Sequence, residues 1–106
     1  MLPQKWLLID DQRNLNGFGC DCSAIVARTF DDGLAALQEG EAYTLLLLDH
    51  DLGDTDPKKT GWDLLCWLER NPDHLPKDIK LVTNNGAVYL KMKALVDKLY
   101  RREEWK

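Results

Sequence analysis

The chain has 106 residues, of which 44% are hydrophobic and 30% are charged, and its formal net charge at pH 7 is −4. This length suits one globular domain with a modest core, so we predict a single domain over residues 1–106. The negative balance argues against a broad electrostatic grip on nucleic acid, which requires many lysine and arginine contacts with phosphates. The longest apolar run is far too short to span a bilayer and the N-terminus lacks the apolar core of a signal peptide, so we predict a cytoplasmic protein without a membrane partner.

Four short apolar runs predict the strands of a sheet. In chain order they cover residues 6–9, 24–27, 45–48 and 79–82. The third run consists of leucine alone and does not alternate with polar residues, which is typical of a strand that is covered on both faces. We therefore expect a parallel sheet buried between other elements.

Apolar residues at helical spacing predict three helices between and after these strands. The first covers residues 31–39. The second starts near Thr60, where Asp63 three residues later favours a variant of the capping box, and it ends at residues 71–72. The third runs from residue 86 nearly to the C-terminus. Strands that alternate with helices indicate an α/β fold with right-handed crossovers.

Acidic residues follow two of the predicted strands. Asp10 and Asp11 come directly after the first strand, and Asp49 and Asp51 flank His50 after the third. The carboxyl ends of parallel strands meet at one end of the sheet, and neighbouring strands lie only about 5 Å apart. Carboxylates crowded in this way suit a hard cation, so we predict that all four aspartates bind Mg²⁺. The alternative is four independent, solvated loop aspartates.

Two further residues beside these aspartates have both a functional and a structural interpretation. His50 could act as a general acid or as an anchor for a phosphate group, or it could be a core-facing side chain, because alternation along a strand turns it away from its neighbours. Arg13 could bind a phosphate group with its forked guanidinium, or pair with Asp10 or Asp11. The residue types alone leave both choices open.

Four segments of the chain resemble the receiver domain of two-component response regulators, namely residues 8–11, 48–52, 61–65 and 81–83. The resemblance implies that Asp10, Asp11 and Asp49 hold Mg²⁺ together with the main-chain carbonyl of Asp51. It also implies that Asp49 accepts a phosphoryl group, which Thr83 contacts. Receivers further use a lysine after a fifth strand, and this chain has no counterpart of that strand or of that lysine.

A closer resemblance is to the cyclic-phosphate processing receiver domain family. It is carried by residues 10–13 (Asp-Asp-Gln-Arg), 48–53 (Leu-Asp-His-Asp-Leu-Gly) and 61–63 (Gly-Trp-Asp). The family typically has a second histidine where this chain has Val82. His74 cannot easily replace it, because it precedes the fourth strand and should lie at the opposite edge of the sheet, and we interpret it as a surface loop residue.

The predicted fold is therefore a small flavodoxin-like, receiver-like α/β domain. It has a parallel sheet of about four strands with helices on both faces. It is truncated, because it lacks a fifth strand and residues 12–23 form a loop in place of the first helix.

We predict a metal-binding, receiver-like domain that recognises or processes a phosphate group, with the cyclic phosphate of a nucleotide or RNA end as the class implied by the resemblance. As an enzyme it would be a phosphoesterase acting on cyclic phosphates. One alternative is a non-catalytic module that binds a protein partner through its last helix or Trp105, and another is a phosphoacceptor receiver. The predicted catalytic residues are His50, Asp49 and Arg13, and the predicted phosphate-binding residues are Arg13, Thr83 and Asn85.

Overall fold

The computed structural model describes residues 5–11, 23–39, 43–53, 55–83 and 85–100. These residues form strands and helices in alternation, joined by short loops and one turn of 3₁₀ helix at Pro72–His74. The strands are β1 (Lys5–Ile9), β2 (Ser23–Ala27), β3 (Leu45–Leu48) and β4 (Ile79–Leu81), and the helices are α1 (Phe30–Gln38), α2 (Gly61–Arg70) and α3 (Gly86–Tyr100).

The four strands form one parallel sheet in the order β2-β1-β3-β4. In the centre of the sheet, Ile9 of β1 lies opposite Leu48 of β3 on one side and Ala27 of β2 on the other. β1 and β3 are the two central strands because their apolar runs can be buried on both faces. The outer strand β2 carries two of the exposed large hydrophobic side chains, Ile25 and Val26.

One face of the sheet carries the hydrophobic core. Leu7 and Ile9 of β1 and Leu46 and Leu48 of β3 are fully buried on this face. All three helices contribute to the same core, which includes the following buried side chains: Leu37 of α1; Leu64, Leu65 and Leu68 of α2; and Met92, Leu95 and Val96 of α3. The layer of α1, α2 and α3 therefore lies on a single side of the sheet.

The second face of the sheet is also apolar. Leu8 and Leu47 lie opposite each other in the register of β1 and β3, and both are fully buried, although neither belongs to the core under the helices. The receiver-like, flavodoxin-like fold class is confirmed. We expected helices on both faces of the sheet, and the helices of the described residues cover one face. The loop expected at residues 12–23 lies almost wholly outside the described residues.

The predicted helix ends agree closely with the structure. Thr60 precedes α2, and the Asp63 carboxylate accepts hydrogen bonds from the Thr60 N–H, at 3.1 Å, and from its hydroxyl, at 2.8 Å. Thr29 caps α1 with the opposite direction of hydrogen bond, because its hydroxyl oxygen accepts from the Asp32 N–H at 3.1 Å. Among the described helices, none has the length and apolar character that a membrane span requires.

His74 lies at the N-terminal end of the sheet, away from the aspartates, as expected from its place before β4. It is half-buried, so the prediction of a surface loop residue is wrong. Its Nδ1 lies 2.9 Å from the Leu37 carbonyl oxygen, and its ring centroid lies 5.2 Å from that of Trp67. His74 therefore connects the end of α1 to α2.

Candidate functional site

Three aspartates converge at the C-terminal end of the sheet. The ladders of hydrogen bonds continue past the strands, since the Asp10 N–H donates to the Ala27 carbonyl at 3.1 Å and the Asp49 N–H donates to the Ile9 carbonyl at 3.0 Å. Asp10, Asp11 and Asp49 each offer a carboxylate oxygen, and these three oxygens lie within 4.8 Å of one another. We call these three residues the acidic cluster.

The acidic cluster is largely removed from water. Asp10 has no exposed surface and Asp49 is 6% exposed, whereas Asp11 is half-buried. Carboxylates this close repel one another, and burial strengthens the repulsion because the surroundings screen it less. The arrangement is therefore one that a cation would stabilise.

The donor set of the acidic cluster fits a hard divalent cation. Mg²⁺ binds oxygen at about 2.0–2.1 Å and Ca²⁺ at about 2.3–2.6 Å, so two oxygens on opposite sides of one ion are about 4–5 Å apart. The separations in the acidic cluster, at up to 4.8 Å, lie within the limit for Ca²⁺ and a few tenths of an ångström above the limit for Mg²⁺, which the half-buried Asp11 side chain can close by a small rotation. All three donors are carboxylate oxygens, which both ions prefer.

Asp51 does not belong to the acidic cluster. Its side chain is 75% exposed, and its Oδ1 lies 3.0 Å from Nδ1 of His50. The structure thus brings together three of the four predicted carboxylates and turns the fourth toward the histidine. A role for the main-chain carbonyl of Asp51 stays a prediction.

His50 connects the acidic cluster to a neighbouring cavity. Its main-chain N–H donates to Oδ1 of Asp49 at 2.8 Å, and its carbonyl accepts from the Gly61 N–H at 2.9 Å. The side chain is 23% exposed and lines the cavity together with residues of α2 and α3. The ring is thus not a core-facing side chain. Among the described residues, its Nε2 has no hydrogen-bond partner.

Gly61 allows α2 to begin directly against the backbone of the site. A Cβ atom at this position would lie 2.9 Å from the carbonyl carbon of Asp49, closer still to its oxygen, and 3.1 Å from Cα of His50. Only glycine leaves room for this approach. The Gly-Trp-Asp segment therefore begins with glycine because the backbone of α2 contacts the backbone of the loop after β3 at this point.

Thr83 and Asn85 follow β4 at the same end of the sheet. The Thr83 hydroxyl oxygen accepts a hydrogen bond from the Asn85 N–H at 3.2 Å, and Oδ1 of Asn85 accepts one from the Val88 N–H at 3.2 Å. Asn85 therefore caps α3 with its side-chain oxygen. Phosphate binding by these two residues stays a prediction. The groups that would donate to a phosphate oxygen are the Thr83 hydroxyl hydrogen and the Asn85 amide hydrogens.

Arg28 is a cation at this site that the sequence analysis missed. Its guanidinium Nη1 lies 3.3 Å from the main-chain oxygen of Asp10. The position of Arg28 directly after the second apolar run was the available signal, because residues that follow parallel strands share one end of the sheet. Arg13, the predicted phosphate ligand, lies outside the described residues.

A family model described as the cyclic-phosphate processing receiver domain matches residues 5–98. The chain belongs to this family. A search of curated proteins gives no match. This receiver domain therefore belongs to a phosphate-related family and has three aspartates together at the C-terminal end of its sheet.

Solved structures with the same fold include response regulators. The chain is similar to the MaeR response regulator bound to beryllium trifluoride, with 24% identity and a TM-score of 0.63 over 87% of this chain and 76% of that one. It is similar to the bacteriophytochrome response regulator AtBRR, with 20% identity and a TM-score of 0.63 over 90% and 78% of the two chains.

A third similar structure contains a yeast Spc42 trimeric coiled-coil segment fused to another protein. It has 18% identity and a TM-score of 0.66 over 91% of this chain, which spans 64% of that one. At these identities the comparisons show the fold alone, and the two response regulators show that it is the fold of a receiver.

Proposed function

We propose that this domain binds a divalent cation, Mg²⁺ in the first instance, at Asp10, Asp11 and Asp49, and that it recognises a phosphate group beside the cation. The observation that carries the proposal is the convergence of three carboxylate oxygens within 4.8 Å, two of them from buried side chains. The family match supports a phosphate group as the ligand, and a cyclic phosphate of a nucleotide or RNA end as its class.

The cation would offset the charge of the acidic cluster and polarise a phosphoryl oxygen. The chain's own groups orient the phosphate. Thr83 can donate its hydroxyl hydrogen from the end of β4, and the guanidinium groups of Arg28 and Arg13 can donate paired hydrogen bonds to phosphoryl oxygens. The two guanidinium groups also supply positive charge to a site that is otherwise acidic.

His50 is the group in this proposal that can move a proton. The Asp51 carboxylate at Nδ1 favours the tautomer with a proton on that nitrogen, which leaves Nε2 to accept a proton from water or to hydrogen-bond a phosphoryl oxygen. Opening a cyclic phosphate requires water to attack phosphorus while a P–O bond breaks and the leaving oxygen takes a proton. With Val82 in place of the family's second histidine, we expect binding with slow opening at most.

Thermal unfolding with and without Mg²⁺ tests the cation site. A cation at 100 times its Kd stabilises the folded state by about 2.7 kcal/mol, which is a rise in Tm of about 10 °C or more for a domain of this size. Asp49→Asn should abolish the rise, and in the presence of a chelator it should be at least as stable as wild type, because one repelling charge is gone. Asp73→Asn, an exposed residue at the other end of the sheet, is the matched control.

Two results would contradict the cation site. The first is a wild-type Tm that does not respond to Mg²⁺ or Ca²⁺ up to tens of millimolar. The second is an equal loss of the response in Asp73→Asn, which would make the effect one of overall charge.

Hydrolysis of a nucleoside 2′,3′-cyclic phosphate in Mg²⁺ tests the role of His50. A positioned acid or base contributes about 10²–10⁴-fold, so His50→Ala should lose nearly all of any turnover that wild type shows while the Mg²⁺ response of Tm remains. Turnover that is unaffected by His50→Ala would remove the proposed role of His50.

The phosphoacceptor alternative has its own readout. With no fifth strand and no lysine after it among the described residues, we expect no stable aspartyl phosphate after treatment with a small phosphodonor and Mg²⁺. Intact-mass measurement detects such an adduct. A phosphoryl adduct that disappears in Asp49→Asn would favour the phosphoacceptor receiver over our proposal.

A further inference from the structure

A cavity of about 390 Å³ lies beside His50, between the loop after β3, the start of α2 and the first half of α3. Small-molecule sites typically measure about 300–1,000 Å³ and combine mostly apolar walls with a few polar groups. Here Pro57, Val88 and the fully buried Met92 supply apolar walls, and His50 and Lys91 supply nitrogen atoms. The cavity thus has the size and lining of a ligand site.

A cation lies over one face of an aromatic ring in the wall of the cavity. Nζ of Lys91 lies 4.3 Å from the centroid of the Trp62 ring, and both side chains line the cavity. An indole stacks on flat heterocycles, and because the Lys91 side chain is exposed it can move off the Trp62 face and donate a hydrogen bond to a ring nitrogen or a carbonyl oxygen of the stacked heterocycle. A nucleobase offers both a flat face for stacking and ring nitrogen or carbonyl acceptors for the ammonium group.

Two other polar residues of the cavity already have structural roles. The Asp63 carboxylate accepts two hydrogen bonds from Thr60, which fixes the start of α2. Ligand contact therefore falls to Trp62, Lys91 and His50. Trp62 is half-buried and Lys91 is exposed, so neither is confined to the core.

The cavity and the acidic cluster share a rigid wall. The main-chain N–H of His50 donates to the carboxylate of Asp49, and α2 begins against the carbonyl groups of both residues through Gly61. Trp62 is the next residue of that helix. The cavity and the acidic cluster are therefore neighbours, lined by the adjacent residues His50 and Asp49.

We propose that this cavity is a nucleobase subsite, so that the ligand is a nucleotide whose base contacts Trp62 and Lys91 and whose phosphate lies at the acidic cluster. This inference rests on the proposed function, because it assigns the ligand class of the same site. It separates a nucleotide or RNA end from inorganic phosphate and from a sugar phosphate, neither of which has a group to stack.

Calorimetric titration in Mg²⁺ with two probes tests the subsite. The probes are adenosine 2′,3′-cyclic phosphate and methyl ribofuranoside 2,3-cyclic phosphate, which has the same phosphate without a base. Trp62→Leu should weaken binding of the adenosine probe about 5- to 150-fold, the range for loss of one base–aromatic stack, and leave the base-free probe unchanged. Trp67→Leu, the same substitution on α2 outside the cavity, should change neither affinity.

A second variant keeps the test decisive if Trp62→Leu folds poorly. Lys91→Met retains the aliphatic stem of an exposed side chain and should weaken the adenosine probe alone. Asp49→Asn should weaken both probes, because it removes part of the phosphate site.

The outcomes separate the two proposals. Equal affinity for both probes, with sensitivity to Asp49→Asn but not to Trp62→Leu, would overturn the nucleobase subsite and leave the phosphate site standing. Binding of the adenosine probe that depends on Trp62 but not on Asp49 would support the subsite and overturn the phosphate site. Failure of both probes to bind the wild-type protein would overturn both.

Discussion

Replacing Gly61 by alanine should destabilise the domain strongly. The added Cβ would meet the main chain of Asp49 and His50 at 2.9 and 3.1 Å, where carbon atoms prefer about 3.5–4.0 Å. Main-chain atoms cannot rotate away, so α2 would have to shift. Overpacking of this kind costs about 1–3 kcal/mol, and we expect the upper end of that range because the whole helix must move. The corresponding fall in Tm is about 10–20 °C.

Gly86→Ala is the matched control for this substitution. A Cβ at Gly86, the first residue of α3, would have no atom within 4 Å. Alanine is the better helix former and restricts the unfolded chain, so we expect a gain of about 0.4–1 kcal/mol. Urea unfolding followed by tryptophan fluorescence and circular dichroism gives both free energies. If Gly61→Ala is as stable as wild type, or if both variants lose the same amount, the close approach of α2 to the site backbone is not real.

Three further predictions concern stability. Asp63→Ala should cost about 0.5–2 kcal/mol in urea unfolding, because Thr60 loses the two hydrogen bonds that it donates to the Asp63 carboxylate; an unchanged midpoint would contradict the capping box. Burial, with the charge of Glu39, raises the pKa of the Tyr43 hydroxyl, so the unfolded chain ionises first and stability should fall above about pH 10; Tyr43→Phe should flatten this fall. Leu47→Ala should cost about 2–5 kcal/mol by thermal unfolding, and a cost near zero would contradict burial of the second face.

The elements of the fold could be predicted because each has a strong local signal. The leucine run of β3 has the bounds predicted for it, and Thr60 with Asp63 marks the start of α2 in the sequence as well as in the structure. The acidic cluster could be predicted for a topological reason. Once β1 and β3 are neighbours in a parallel sheet, the residues that follow them must lie together.

The details that could not be predicted depend on tertiary packing. Alternation along a strand does not say that Asp51 turns its carboxylate to His50, because the strand has already ended there. The burial of His74 arises from contact with Leu37 of α1, which is 37 residues away in the sequence, and with Trp67 of α2. Placement of α1 and α2 on one face follows from the strand order, because right-handed crossovers that step in the same direction across a sheet lie on the same face, and the apolar periodicity does not contain that order.

The outer strand β4 has a consequence for how this protein behaves at high concentration. An outer strand usually offers its free N–H and carbonyl groups to a strand of another chain, and this pairing is a common start of aggregation. Here the strand has only three residues, Oδ1 of Asp78 accepts the Ile79 N–H at 2.9 Å, and its middle residue is the exposed Lys80. Few backbone groups of β4 are left to pair with another chain, and the Lys80 ammonium group would repel the same group of a second copy. β4 is therefore a poor template for self-association.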